Sequence, residues 1–325
     1  MNQETILVVE DNDVLREGLS AMLEIEGFTV FAAENGRAAL DRMTFLFPDL
    51  ILSDIAMPEM DGYGFFRAVR DRPEWLSIPF LFLTARGERE DVIAGKEMGA
   101  EDYLIKPITR EELLAAVSAR LSRSQQLRVA QLQQAYEASM MVLANAVEAR
   151  AQLPPGHIER VLAYSLVIAE QLGWRGKRLE ALRFGAILHD VGKLLISEVT
   201  LCRPGPLSAS EWTEMRQHPR TGAEIIRDIP ALAQAIPIIF SHHERWDGRG
   251  YPQNLAGEVI PEGARIVALA DALDAMTTPR PYRAAISLQE AGAEILRNSA
   301  SQFDPAVVMA FQRAWEAGKI IPDSK

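Results

Sequence analysis

The chain has 325 residues, 48% of them hydrophobic and 24% charged, enough for two globular domains that each bury a core. Its net charge of -11 is one-sided: residues 1–122 carry 23 acidic and 12 basic side chains, whereas residues 123–325 carry 22 of each. Neither half is basic overall, which argues against direct nucleic-acid binding. No apolar run reaches the roughly 18 residues of a membrane span. The N-terminal MNQETILVVEDND lacks the pattern of a secretory signal, and the single Cys202 excludes an internal disulfide, so a reducing, cytoplasmic location is expected.

Residues 1–122 alternate short β-rich runs with helical patterns. Strands are predicted at Thr5–Val9, Phe28–Phe31, Leu50–Ser53, Phe80–Leu83 and Asp102–Ile105, with amphipathic segments such as Val14–Ile25 and Arg89–Met98 between them. That alternation predicts a doubly wound α/β fold, a five-stranded parallel sheet covered on both faces. Such sheets bind ligands beyond the carboxyl ends of their strands. Glu10 and Asp11 end the first strand, Asp54 the third and Thr84 the fourth, and Lys106 follows the fifth. Each alone is explained by a turn or a helix cap. Together they gather three carboxylates, a hydroxyl and an ammonium at one edge. Such a set suits Mg²⁺, and an Asp beside that ion can accept a phosphoryl group.

These residues lie in the stretches VVEDND, SDIAMPEMDGY, LTA and DYLIKP, on which residues 1–122 closely resemble response-regulator receiver domains. The resemblance implies a flavodoxin-like fold, phosphorylation of Asp54 by a cognate histidine kinase, and Mg²⁺ held by Glu10, Asp11, Asp54 and the backbone of Ala56. It also implies that Thr84 and Lys106 contact the phosphoryl oxygens while Tyr103 reorients with Thr84. Glu10 stands where the family more often has Asp, which keeps the charge.

A helix is predicted from Arg110 to Ala149, with Val129, Leu132, Tyr136, Met140, Leu143 and Val147 spaced as a heptad-like stripe. Two readings stand: the first core helix of a second domain, or a parallel coiled coil joining two protomers. The expected division is 1–122, a helical linker over 123–140, and a second domain over 141–325. Leu153-Pro154-Pro155-Gly156 breaks the helix, and the remainder is helical, with turns at Gly173–Gly176, Arg203–Pro206, Asp247–Pro252 and Thr278–Pro281.

All five histidines lie in this second part. A predicted helix Leu179–Leu188 delivers His189-Asp190, with Lys193 just beyond, and a predicted helix Ala231–Phe240 delivers His242-His243. His157 follows the Pro-Pro-Gly break, His218 precedes Pro219, and Asp271 sits in an apolar segment. A lone histidine at a helix end is usually a cap or a satisfied core group. An adjacent pair together with a His-Asp doublet is a ligand set for Fe, Mn, Zn or Ni. Asp190 is placed to bridge two ions, a clamp suited to an attacking hydroxide and a phosphate oxygen.

Residues from about 141 to 320 are similar to the HD-GYP family of HD phosphohydrolases, on GHIERV, LHDVGK, RPGPLSASEW, MRQHPRTG, HHERWDGRGYP, RIVALADALDAM and RPYR. The resemblance implies an all-α HD-type domain that hydrolyses cyclic di-GMP to pGpG, and often on to GMP. By position it makes His157, His189, Asp190, His218, His242, His243 and Asp271 metal ligands. Lys193 would approach the scissile phosphate beside Asp190, and Arg280 and Arg283 would hold substrate phosphates. Gly250, Tyr251 and Pro252 would shape a loop beside the substrate, although simple loop packing explains Tyr251 equally well. Some members bind a third metal through a Glu four residues before the first His, a position held here by Leu153. Two divalent ions, Fe, Mn or Ni, are therefore expected, and Glu148 would substitute only if the chain folded back. The combined expectation is a homodimeric response regulator whose phosphodiesterase output is controlled at Asp54. The alternatives are a cyclic di-GMP-binding module without turnover and an HD phosphohydrolase acting on another nucleotide.

Overall fold

The computed structural model describes residues 4–85, 102–151, 154–279 and 284–321. The predicted helix Arg89–Met98, and Leu153, Arg280 and Arg283, lie outside the described residues. Contacts divide the chain into two compact units, Met1–Gln133 and Gln134–Lys325. No helix among the described residues is long and apolar enough to cross a membrane.

The first unit is a five-stranded parallel sheet, β1 (Thr5–Val9), β2 (Thr29–Ala33), β3 (Leu50–Asp54), β4 (Phe80–Thr84) and β5 (Asp102–Ile105), in the order β2-β1-β3-β4-β5. Helices cover both faces, so the strands are apolar on both sides, as the side-chain period of two requires. Leu7, Val9, Ile51, Phe80 and Phe82 pack on one face with α2 (Gly36–Met43) and α3 (Gly62–Arg70). Ile6, Val8, Leu50, Leu52, Leu81 and Leu83 pack on the other with α1 (Asp13–Ile25). The second strand runs two residues further than Phe31, because pairing with β1 continues from Thr5↔Thr29 to Val9↔Ala33.

A 41-residue helix, α4 (Arg110–Arg150), contributes to both units. Its beginning places Leu113, Val117 and Leu121 in the core of the sheet unit. Its end buries Ala144, Val147 and Glu148, while Tyr136 and Met140 pack on the core of the second unit. The heptad-like stripe is thus not one seam: Val129, Leu132 and Leu143 are exposed. A strict seven-residue spacing drifts around a straight helix, and the core takes only the residues that face it.

The second unit is helical: α5 (His157–Gln171), α6 (Lys177–Leu188), α7 (Glu198–Leu201), α8 (Ala209–Met215), α9 (His218–Ile226), α10 (Ile236–Ser241), α11 (Glu262–Thr277), α12 (Leu288–Arg297) and α13 (Pro305–Glu316). One apolar core unites α5, α6, α11 and α13 through residues such as Val161, Ile168, Leu182, Leu269 and Phe311. The predicted helix Ala231–Phe240 is not continuous. A 3₁₀ turn covers Pro230–Leu232, and α10 begins at Ile236 with Pro237 in its first turn, where the missing N–H of proline costs nothing.

Candidate active site

The first unit places its chemistry at the carboxyl edge of the sheet. Glu10, Asp11 and Asp54 offer oxygens within 4.8 Å of one another. Lys106 Nζ lies 2.8 Å from both Glu10 Oε2 and Asp54 Oδ1. Burial raises the pKa of Glu10 against the hydrogen bond from Lys106. For Lys106 burial acts downward, yet its hydrogen bonds to Asp54 and Glu10 outweigh it and the ammonium is held above its ordinary value. Thr84 is buried at the end of β4, and the Tyr103 ring stacks on Phe82 at 5.5 Å. Ala56 sits exposed two residues beyond Asp54. A cluster of carboxylates at this edge fits a hard cation with retained waters.

In the second unit, helix ends converge. His157 opens α5, His189 caps the end of α6, His218 opens α9, and His242 caps α10 with His243 next to it; Asp271 projects from within α11. The donors fall into two groups, Asp190 with His218, His242 and His243, and His157 with His189 and Asp271, each within 4.8 Å internally. Asp190 serves both: Oδ1 is 3.2 Å from His218 Nε2 and 3.9 Å from His242 Nε2, while Oδ2 is 3.4 Å from His189 Nε2.

The tautomers follow from what each Nδ1 touches. In His189, His218 and His242 it lies 2.7–2.8 Å from the carbonyl oxygen three residues earlier, of Ala186, Met215 and Ile239. In His157 it lies 2.6 Å from Asp274 Oδ2. These oxygens only accept, so each Nδ1 carries a proton and Nε2 is the nitrogen turned inward, a lone pair wherever the ring is neutral. For His157 burial acts downward, but the hydrogen bond to Asp274 and the nearby carboxylate charges outweigh it and raise its pKa. Burial depresses the pKa of His189, His242 and His243, so these rings are neutral at pH 7. His218 Nε2 and His242 Nε2 stand 3.3 Å apart, and His189 Nε2 is buried without a hydrogen-bond partner among the described residues. Lone pairs this close need a cation between them, and the donor set therefore fits divalent metal. Burial pushes Asp190 upward, but the neighbouring Lys193 charge helps hold its carboxyl well below the usual range.

Comparison with known proteins matches both units to known domain families. Residues 6–118 match the response regulator receiver domain, and residues 141–307 match the HD domain. The chain belongs to the response regulators that carry an HD domain. A probable cyclic di-GMP phosphodiesterase of Vibrio cholerae is 34% identical over 96% of this chain and 78% of its own length. The cyclic di-GMP phosphodiesterase response regulator RpfG of Xanthomonas campestris is 37% identical over 82% of this chain and 75% of its own. A cyclic di-GMP phosphodiesterase of Thermotoga maritima is 32% identical over 94% and 89%.

Around the ligands, the HD domain uses residues that the sequence did not single out. Asp274 accepts from Arg160 and Thr278 as well as His157, which locks the His157 ring. Glu148, 5% exposed, comes from the last turns of α4 and reaches within 3.8 Å of His157 Nε2 at the start of α5. Burial raises its pKa to about 7. Arg150 donates to the carbonyls of Lys193, Leu194 and Ile196, and Lys193 Nζ donates to Asp190. Gly192 lets α9 approach: a Cβ there would lie 1.9 Å from the His218 carbonyl oxygen.

Buried Glu244 accepts from the backbone N–H of Gln253 and Leu255, which ties down the loop carrying Gly250, Tyr251 and Pro252. A Cβ on Gly250 would meet Arg245 N at 2.4 Å, so the loop closes on the backbone of His243 to Arg245 only with glycine. Tyr251 stacks on His243 at 4.7 Å, with Arg216 over its other surroundings at 5.5 Å. Beside this loop opens a cavity of about 810 Å³, lined by His242, His243, Asp271, Tyr251, Glu294 and Arg297 among others. Of the supporting residues, Glu148 is noted by itself in the sequence; Arg160, Gly192, Arg216, Glu244 and Asp274 lie inside the stretches quoted above, but nothing in the sequence gives them a role, which depends on what each faces.

Proposed function

We propose that the HD domain is a metal-dependent phosphodiesterase that opens cyclic di-GMP to pGpG, with further cleavage to GMP as the second step open to it. The observation that carries this reading is Asp190, whose two oxygens face two groups of inward-turned imidazoles. The relatives named cyclic di-GMP phosphodiesterases supply the substrate class. Divalent ions, Fe, Mn or Ni, supply Lewis acidity toward water and a phosphodiester oxygen.

The chain's own residues do the rest. His157, His189 and Asp271 hold one end of the centre, His218, His242 and His243 the other, and Asp190 joins them. Lys193 keeps an ammonium against Asp190, available to charge that builds on the transferring oxygens. The cavity beside His243 and Tyr251 takes the dinucleotide, with Tyr251 in its wall and Gly250 and Pro252 shaping the loop that carries it; Arg280 and Arg283 take the substrate phosphates. Hydrolysis adds water across one P–O bond, which leaves a phosphate on one ribose and a hydroxyl on the other.

In the receiver, Asp54 takes a phosphoryl group from a histidine kinase. Glu10, Asp11, Asp54 and the backbone of Ala56 hold Mg²⁺, Lys106 and Thr84 take the phosphoryl oxygens, and Tyr103 follows Thr84. The exposed Leu127, Val129 and Leu132 of α4 supply the contact for a homodimer. The deciding experiment is purification without added metal, elemental analysis, then incubation with cyclic di-GMP and chromatography of the products. Bound divalent metal with pGpG or GMP accumulating supports the reading. Bound metal with no turnover when Fe or Mn is supplied under reducing conditions overturns it.

A further inference from the structure

Glu148 is a buried carboxylate that the ligand set above does not use. It comes from the last turns of α4, is 5% exposed, and its Oε1 is buried without a hydrogen-bond partner among the described residues. Leaving an acceptor of this kind unmade costs free energy, more so for a charged one, and such groups call for a reason.

The reason lies in what Oε1 faces. His157 Nε2 is 3.8 Å from Glu148 Oε1 and 3.8 Å from Asp271 Oδ1. Since Nδ1 of His157 is engaged by Asp274, Nε2 is the nitrogen that faces both carboxylates. Two carboxylate oxygens and an imidazole nitrogen, all of them metal-ligand types, are thus set around one point. A proton on Nε2 would supply the missing positive charge, but 3.8 Å is too long for a hydrogen bond to either oxygen. Two ligands each about 2.1 Å from one ion stand at most about 4.2 Å apart. The observed separations fall inside that limit.

We infer that Glu148 is a metal-ligating carboxylate at the His157 end of the centre, filling with a residue from the receiver-linked helix the place that Leu153 leaves vacant. The inference rests on the metal-centre reading above. It also makes α4 a structural part of the centre: the helix that starts in the receiver unit ends as a ligand.

The test is Mn²⁺ binding to metal-stripped, full-length protein, followed by calorimetry and by electron paramagnetic resonance, for wild type and Glu148→Gln. Glutamine keeps the shape and the ability to accept a hydrogen bond, so a merely structural Glu148 tolerates it. Loss of a ligand is expected to weaken Mn²⁺ binding by at least about 10-fold, or to lower the number of ions bound, with an altered resonance spectrum. The metal-free variant should melt no lower than metal-free wild type, while its gain in melting temperature on Mn²⁺ addition shrinks. Glu148→Asp, which keeps the charge on a shorter arm, should recover part of the affinity and guards against a glutamine that misfolds. Equal stoichiometry, affinity and spectrum in wild type and Glu148→Gln would overturn the inference and leave the centre standing. Wild type that takes no metal would instead sink the reading beneath it.

Discussion

Asp274 has the least conspicuous sequence and one of the clearest roles. It holds His157 Nδ1 at 2.6 Å while Arg160 and Thr278 fix its own carboxylate, so it sets both the tautomer and the angle of a ligand ring. Asp274→Asn should weaken metal binding by about 10- to 100-fold with the helical fold retained, as read by chelator competition and circular dichroism. Glu148 gives a second test, in the metal-free protein. Burial raises its folded pKa from 4.5 to about 7, so the folded chain holds this proton more tightly than the unfolded one. Its contribution to stability is complete below about pH 4.5 and is lost as the pH rises through about 7. The melting temperatures of chelated wild type and Glu148→Gln should therefore be close near pH 5 and diverge in favour of the variant toward pH 8. A constant difference across that range would show that the carboxyl does not titrate there.

At the scale of elements, the end of α4 acts on the chemistry through Arg150 as well as Glu148. Arg150 donates to the carbonyl oxygens of Lys193, Leu194 and Ile196, and so fixes the 3₁₀ turn Val191–Leu195 that carries Lys193. Gly192 holds the other side of this turn against α9. Arg150→Ala should lower kcat about 10-fold or more while metal content stays that of wild type, because Lys193 loses its footing and the ligands do not. Arg150→Lys should restore little, since one ammonium cannot span carbonyls that a guanidinium fork reaches together. Metal loss in Arg150→Ala would instead mean that the turn supports Asp190 more than Lys193.

For the whole molecule, one helix contributes buried residues to the receiver and a carboxylate and a guanidinium to the surroundings of the His/Asp cluster. The proposed phosphorylation of Asp54 would add charge at the edge where Lys106 already ties Glu10 to Asp54, and would redistribute those ion pairs. A small rotation of α4 would then change how Glu148 and Arg150 meet the centre. Phosphoryl donors or a phosphoryl mimic should change turnover of wild type and leave Asp54→Asn unchanged. Identical rates with and without the donor in wild type would mean the receiver does not act through this helix.

The strands, the carboxyl-edge residues and the histidine pairs were legible because each is local. Strand periodicity is written in neighbouring residues such as Ile6 to Val9, and His189-Asp190 or His242-His243 announce themselves by adjacency. The helix over Ala231–Phe240 misled because apolar residues alone do not reveal where Pro237 restarts the chain. Tertiary structure alone decided the rest. Glu148 and His157 are neighbours only because the folded chain brings the end of α4 to the start of α5, and Asp274 meets His157 across 117 residues of sequence. Ligand types can be read from a sequence, but a buried charge is given its partner by packing, and packing is a property of the folded chain.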